Sequence, residues 1–418
     1  MPESSPRPET SGTLGTPTYS AALDAGLAPP TVTAGHQASD IPGDSNLCLQ
    51  AAVDYVAGLG GGVVEITPGR YLMYDSLHLR PNVIVRGCGQ DTVLVKAPMA
   101  ESRLSVPFLG YGHWDVSLAE PDLFRPGMGI HIGGPGFHGT CATLTFRAGD
   151  RFGISRPLND DTSAESVVRS VFPVISGYSA HDCVVENLRI EGDADHNGYI
   201  DGCRGGGVFL LDCDRATVRG VTVEDYNGDG FSFQQSDDVV LDSCTARGNR
   251  GHGFHPGSGS SRYRMSHVFA EGNGMDGVFC CLRANHGLLE DSRIADSGDN
   301  GISIGQRDAD NIIRNCAITG SRHNGVCFRS VGDASLVPVN TLIEGCSIRD
   351  NARESGAEVY FADLTRDVVI RGCSIGPGPA SADHWVGLLF EPGVGLVTLD
   401  GNILDGPDGR AVVDRRTA

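Results

Sequence analysis

The chain has 418 residues, a formal net charge of −20, 58 glycines, 13 cysteines and only 6% aromatic residues. An acidic balance of that size excludes a nucleic-acid backbone as partner, because affinity there comes from Lys and Arg neutralising phosphates. There is no apolar run of about 18 residues and no signal-like apolar core near the start, so no membrane partner is expected and the expected location is the cytoplasm.

Residues 1–44 are rich in Pro, Ser, Thr and Gly and are expected to be flexible or draped on a surface. Leu47, Leu49, Ala52, Val53 and Val56 then recur at helical spacing behind Asp44 and Ser45, either of which is a suitable N-cap. This predicts a short amphipathic helix that closes one end of the domain, with residues 45–96 forming the cap and the first coils. Residues 97–180 show no repeat and hold Phe108, Tyr111, Trp114, Phe124, Phe137, Phe146 and Phe152. They are expected to form one or two early coils carrying a long insertion against the helix flank.

From residue 181 to 405 the chain repeats. Gly207, Gly230, Gly253, Gly277, Gly301 and Gly325 succeed one another at steps of 23 or 24 residues. Behind each lies a short run such as Val208-Phe209-Leu210, Phe231-Ser232-Phe233 or Val326-Cys327-Phe328, apolar at the first and third places. That is the period of a strand with one buried face. A second register holds Val218, Leu241, Met265, Leu289, Ile313, Ile343 and Ile370. So steady a period signals a solenoid, in which a single coil cannot bury its own apolar face. The coils are too short for a strand-helix unit and lack a leucine framework. The predicted class is therefore all-β, a right-handed parallel β-helix, ending in a short tail at 406–418. Cys244, Cys316, Cys346 and Cys373 fall on an inward position of the repeat and are expected to be buried free thiols.

The N-terminal coils strengthen this reading. The helix, then Gly60-Gly61-Gly62-Val63-Val64-Glu65-Ile66, Pro68-Gly69-Arg70-Tyr71 and Val85-Arg86-Gly87-Cys88-Gly89, resembles the pectin-lyase-like superfamily of right-handed β-helices. The resemblance spans residues 46–96 and 180–405. It implies the fold, while activity must be read from the site, since that superfamily contains hydrolases, lyases, epimerases and non-enzymatic tail proteins.

Successive coils of a β-helix stand about 4.8 Å apart, so equivalent residues form columns. The residue before each repeat glycine reads Gly206, Asp229, His252, Asp276, Asn300 and Asn324. Asp229 and Asp276, two coils apart, would be separated by about 9–10 Å along the axis. That is near the ~6.5–9.5 Å between the acid and base of inverting glycosidases, with His252 between them to hold the water. Asp229, His252 and Asp276 are thus the candidate catalytic residues. The stretch around Asp229 and Gly251-His252-Gly253 also resembles the active-site coils of polygalacturonases. This implies Asp229 as general acid, His252 as its partner and Arg283 as ligand of a substrate carboxylate. Gly228, Arg204-Gly205-Gly206 and Asn285 depart from that pattern.

Further substrate-binding candidates are His255, Gln234, Arg307, Asp201 and Arg204, with Trp114 as a platform on which a sugar could stack. Asp193-Ala194-Asp195-His196-Asn197-Gly198-Tyr199-Ile200-Asp201 has the start of a calcium loop, with oxygen ligands at alternate positions and glycine sixth. Asp193, Asp195, Asn197 and Asp201 are its ligand candidates, although Arg204 stands where the bidentate Glu would be. The chemistry requires no cofactor, and Ca²⁺ is the one ion for which the sequence offers a loop. These observations favour a glycoside hydrolase acting on a carbohydrate or another small polar, anionic substrate. A polysaccharide lyase or uronate epimerase, an intracellular isomerase or cyclase, and a non-catalytic binding solenoid are the alternatives.

Overall fold

The computed structural model describes residues 28–36, 38–133, 138–380, 385–406 and 409–416. The glycine-led segments form one sheet of eleven parallel strands, running in space from Leu77–His78 to Val412–Asp414. Its register is strict: Val208, Phe231, Phe254, Val278, Ile302, Val326, Val359, Leu388 and Val412 are successive partners. All but the terminal Val412 are buried in the core. The next place points outward and reads Phe209, Ser232, His255, Phe279, Ser303, Cys327, Tyr360 and Leu389. Each regular coil adds two more short strands, as in Val240–Asp242 and Thr245–Arg247. Val218, Leu241, Met265, Leu289, Ile313, Ile343 and Ile370 stack in the second register as expected. The fold is an all-β right-handed parallel β-helix with one capping helix.

Packing inside the coils is by like on like. Phe328, Phe361 and Phe390 stack with ring centroids 5.1 and 4.7 Å apart. Truncating the middle ring, Phe361→Ala, is expected to cost about 3–5 kcal/mol. Guanidinium unfolding measures this, and a loss below about 1 kcal/mol would mean that the stack contributes little. The cysteines are all free thiols. On the inward ladder the Cys316 N–H donates to Cys346 Sγ and the Cys346 N–H to Cys373 Sγ, both at 3.4 Å. The corners use left-handed backbone with ordinary residues as well as glycine: Ser243, His267, Asp291 and Asn315 occupy one corner with φ of 48–55°.

The helix covers Asn46–Gly58 and buries Cys48, Leu49, Ala52, Val53 and Val56. Leu47, assigned to its apolar face, is instead 69% exposed, and Ser45 takes the N-cap position without a side-chain bond. Three boundaries differ from expectation. The flexible segment to residue 44 falls partly outside the described residues, but Thr31–Gly35 is a strand paired in parallel with residues 63–66. Among the described residues, 101–169 contain no early coils. They form a separate six-stranded antiparallel sheet with its own core, including Val116, Phe124, Ile130, Leu144 and Phe152. The C-terminal tail supplies one more strand, Val412–Asp414, paired with Leu388–Phe390. Phe137 lies outside the described residues. Among the described residues no helix is long and apolar enough to cross a membrane.

Candidate functional site

The column before the repeat glycines forms, and hydrogen bonds tie it together. The His252 N–H donates to Asp229 Oδ1 at 2.8 Å, and the Asp276 N–H to His252 Nδ1 at 3.2 Å. The Asn300 N–H donates to Asp276 Oδ1 at 2.9 Å, and the Asn324 N–H to Asn300 Oδ1 at 3.2 Å. The Ala357 N–H closes the series on Asn324 Oδ1 at 2.9 Å. Each side chain thus accepts the amide of the coil above, which satisfies a buried donor.

Depth separates members that the spacing treats as equal. Asp229 is completely buried and does not line the cavity beside the column. It is therefore not placed as a general acid facing a trough. Its second oxygen meets His255 Nδ1 at 2.7 Å. Burial would raise the Asp229 carboxyl, but His252 and His255 outweigh that and hold it low. His252 accepts at Nδ1, so its proton sits on Nε2, and burial lowers its tendency to charge. Its ring lies flat on Phe279, with centroids 4.2 Å apart.

A cavity of about 370 Å³ opens over these coils. Its walls include Tyr199, Asp201 and Cys203 from the loop before the first regular coil, then His252, His255, Met275, Asp276, Phe279 and Cys281. Asp299, Asn300, Ser303 and Arg329 complete it. Three groupings carry chemistry. The first is a carboxylate pair: the Asn300 amide nitrogen donates to Asp276 Oδ1 and to Asp299 Oδ1, both at 2.9 Å. Burial, and then the charge of Asp276, raise the Asp299 carboxyl. The second is Arg329, whose guanidinium lies 4.2 Å from the Phe279 ring centroid. Its Nη2 donates to the Cys280 carbonyl at 2.6 Å, while its buried Nη1 has no hydrogen-bond partner.

The third grouping is Cys203, His255 and Cys281, whose ligand atoms lie within 4.8 Å of one another. The Cys203 N–H donates to Asp201 Oδ1 at 2.8 Å, and Ser232 Oγ donates to the Gly202 carbonyl at 2.6 Å. Gly202 leaves no room for a side chain: a Cβ would overlap Asp229 Oδ2 and His255 Nδ1. The neighbouring Cys203 thiol, and after it His255, lower the Cys281 thiol against the opposing effect of burial, while Cys281 and burial raise the Cys203 thiol.

Of the other sequence candidates, His255 and Asp201 line the cavity. Gln234 is buried and donates to Ser232 Oγ at 2.9 Å, so it supports the loop and does not face a substrate. Arg204 does not line the cavity; its carbonyl accepts from the Cys141 thiol of the insertion. Arg283 and Arg307 sit exposed on left-handed corners with φ of 60° and 59°, outside the cavity. Trp114 is 60% exposed on the insertion and also outside it.

The side chains of the expected calcium loop have other partners. Residues 194–196 make a turn of 3-10 helix, and Asp193 Oδ1 meets His196 Nδ1 at 2.6 Å. Asn197 is turned inward, where its Oδ1 accepts from Lys96. Asp195 pairs with Arg250 at 3.2 Å, and Asp201 is taken by the Cys203 amide. Among the described residues Asp193, Asp195 and Asp201 do not gather into one group of possible ligands.

Tyr199, Cys203, Cys281 and Asp299 were not reached from the sequence. For Cys281 the signal was present: it stands two places beyond outward-facing Phe279, so alternation alone puts it outside.

Among curated proteins, none matches this chain in sequence. Three solved structures show the likeness of fold. The A-module of the Azotobacter vinelandii mannuronan C-5 epimerase AlgE4 is 16% identical, with a TM-score of 0.52, over 90% of this chain and 96% of that one. A structure titled glycoside hydrolase is 9% identical, with a TM-score of 0.55, over 92% and 99%. PfbA, a surface adhesin of Streptococcus pneumoniae, is 12% identical, with a TM-score of 0.53, over 86% of each chain. Residues 187–286 and 276–404, together more than half of the chain, match the family described as right handed beta helix region. With coil after coil stacked in parallel register, this chain belongs to the right-handed β-helix family.

Proposed function

We propose that this protein is a carbohydrate-active enzyme, a glycoside hydrolase working in the cavity above the column. The observation that carries it is the Asp276–Asp299 pair bridged by the Asn300 amide. Two neighbouring carboxyls with one pushed upward is the pattern of an acid and a nucleophile. Asp299 protonates the leaving glycosidic oxygen. Asp276, held on the same amide and so at the short ~5–5.5 Å spacing of a retaining pair, attacks the anomeric carbon. A water that gives its proton to Asp299 then releases the sugar from Asp276, leaving a new reducing end and a free hydroxyl. His252, with Nε2–H and its ring on Phe279, orients the sugar, and Tyr199 flanks the entrance. That an epimerase and a glycoside hydrolase share the fold supports a glycan as substrate class.

Reducing-end release from a panel of neutral and uronic-acid glycans tests this. Asp276→Asn should lower turnover about 10³-fold. Wild-type rates in that variant would remove the reading.

A uronate lyase or epimerase is the second reading, favoured by the unpartnered Nη1 of Arg329. A guanidinium there would pair with a substrate carboxylate and ease removal of the adjacent proton. A product with a new carbon–carbon double bond, read by its ultraviolet absorption, or an inverted C-5 centre would select it over hydrolysis.

A further inference from the structure

We infer that Cys203, His255 and Cys281 form a binding site for one transition-metal ion of the zinc type, with its fourth coordination position open to the cavity. This does not rest on the hydrolytic reading.

The three residues come from separate places in the chain: the loop at 199–205, the outward row of one glycine-led strand, and the end of the next. Their ligand atoms nonetheless lie within 4.8 Å of one another. Thiolate and imidazole ligands stand ~2.3 and ~2.0 Å from zinc, hence about 3.5 Å from each other. Small side-chain rotations would close the set.

The decisive residue is His255. It is 3% exposed, its Nδ1 is engaged by Asp229 at 2.7 Å, and its Nε2 makes no hydrogen bond of good geometry although the Cys281 thiol stands close enough to interact with the ring. A buried polar atom left without a well-formed bond is costly. A metal ion on Nε2 removes that cost, and a carboxylate on the other ring nitrogen is the usual outer support of a metal-bound histidine. A Cys203–Cys281 disulfide would leave Nε2 unsatisfied.

The ligand type sets the ion. Two thiolates and an imidazole suit zinc and its soft neighbours, whereas calcium and magnesium require oxygen. Three protein ligands with one position left to the cavity is the arrangement of sites that bind water or substrate. The cradle is specific as well. Gly202 lets the Cys203 loop approach Asp229 and His255, and the Asp201 and Ser232 hydrogen bonds fix the turn. The ladder thiols differ: Cys244, Cys316, Cys346 and Cys373 face the core and donate to backbone carbonyls.

The test uses the full chain, purified under reductant, stripped with a chelator, and titrated with Zn²⁺ or Co²⁺. One Zn²⁺ per chain is expected, and Co²⁺ should give a thiolate charge-transfer band with tetrahedral ligand-field absorption. Cys203→Ser and Cys281→Ser should each weaken Zn²⁺ binding by more than about 100-fold, and Asp229→Asn by ~10–100-fold. Cys88→Ser, at an exposed thiol, should change nothing. Because His255→Ala opens a buried position, the near-isosteric serine variants, checked for native circular dichroism, decide the matter. The inference is overturned by a cobalt spectrum without a thiolate band. Equal zinc binding by the Cys203→Ser/Cys281→Ser double variant overturns it too. Both readouts are of binding, so they stay separate from the turnover test on Asp276.

Discussion

Asp299→Asn is expected to lose turnover by about 10²–10⁴-fold while melting at a higher temperature than wild type at pH 7. The first effect comes from removing the proton that the leaving oxygen needs. The second comes from linkage. Burial and Asp276 raise the Asp299 carboxyl above the ordinary range of an aspartate. The fold therefore favours its protonated form. That contribution is fully present below the unfolded pKa and is lost as pH rises through the folded one. At neutral pH the charged carboxylate is a burden beside Asp276. Asparagine keeps an amide oxygen for the Asn300 contact and cannot ionise, so the burden disappears. Calorimetry at pH 7 and pH 4 checks the sign: the gain should shrink on acidification. A variant that melts lower at pH 7, or that retains turnover, contradicts the assignment. The wild-type kcat/KM should correspondingly fall on the alkaline side as Asp299 loses its proton.

Asp229→Ala is expected to cost about 3–5 kcal/mol of stability, because it breaks a buried pair and strands its partners. The His252 amide and His255 Nδ1 both lose their acceptor. Asp229→Asn should cost clearly less, since its side-chain oxygen still accepts one of these bonds. Guanidinium unfolding of the two variants separates loss of charge from loss of acceptor. If Asp229 instead gave its proton to substrate, both variants would be equally dead and nearly as stable as wild type.

Legibility differed between fold and site for a physical reason. The fold depends on periods, and Gly207 to Gly325 with the apolar alternation behind them carry those periods openly. The column through Asp229, His252 and Asp276 was equally readable, because one coil offset places every member. Depth is not periodic. The loop at 199–205 covers Asp229 but leaves Asp276 on the cavity wall, and no spacing within the repeat encodes a cover supplied from outside it. The same loop delivers Cys203, so the cysteine–histidine cluster could not be found by stacking like on like. Arg283 and Arg307 align on matching corners as the spacing implies, but those corners are exposed and lie outside the cavity. The insertion was invisible in its architecture because antiparallel strands of unequal length leave no fixed interval.

The amide-accepting column has a consequence for how this molecule can change. Each turn reserves one socket, and the socket admits any short side chain that offers a lone pair: carboxylate, carboxamide or neutral imidazole. Lysine and arginine, which only donate, are shut out. Aspartate, asparagine and histidine are therefore exchangeable plugs, alike to the scaffold and different to a bound molecule. New reactivity can be installed turn by turn while the spool on which it is wound stays as it was.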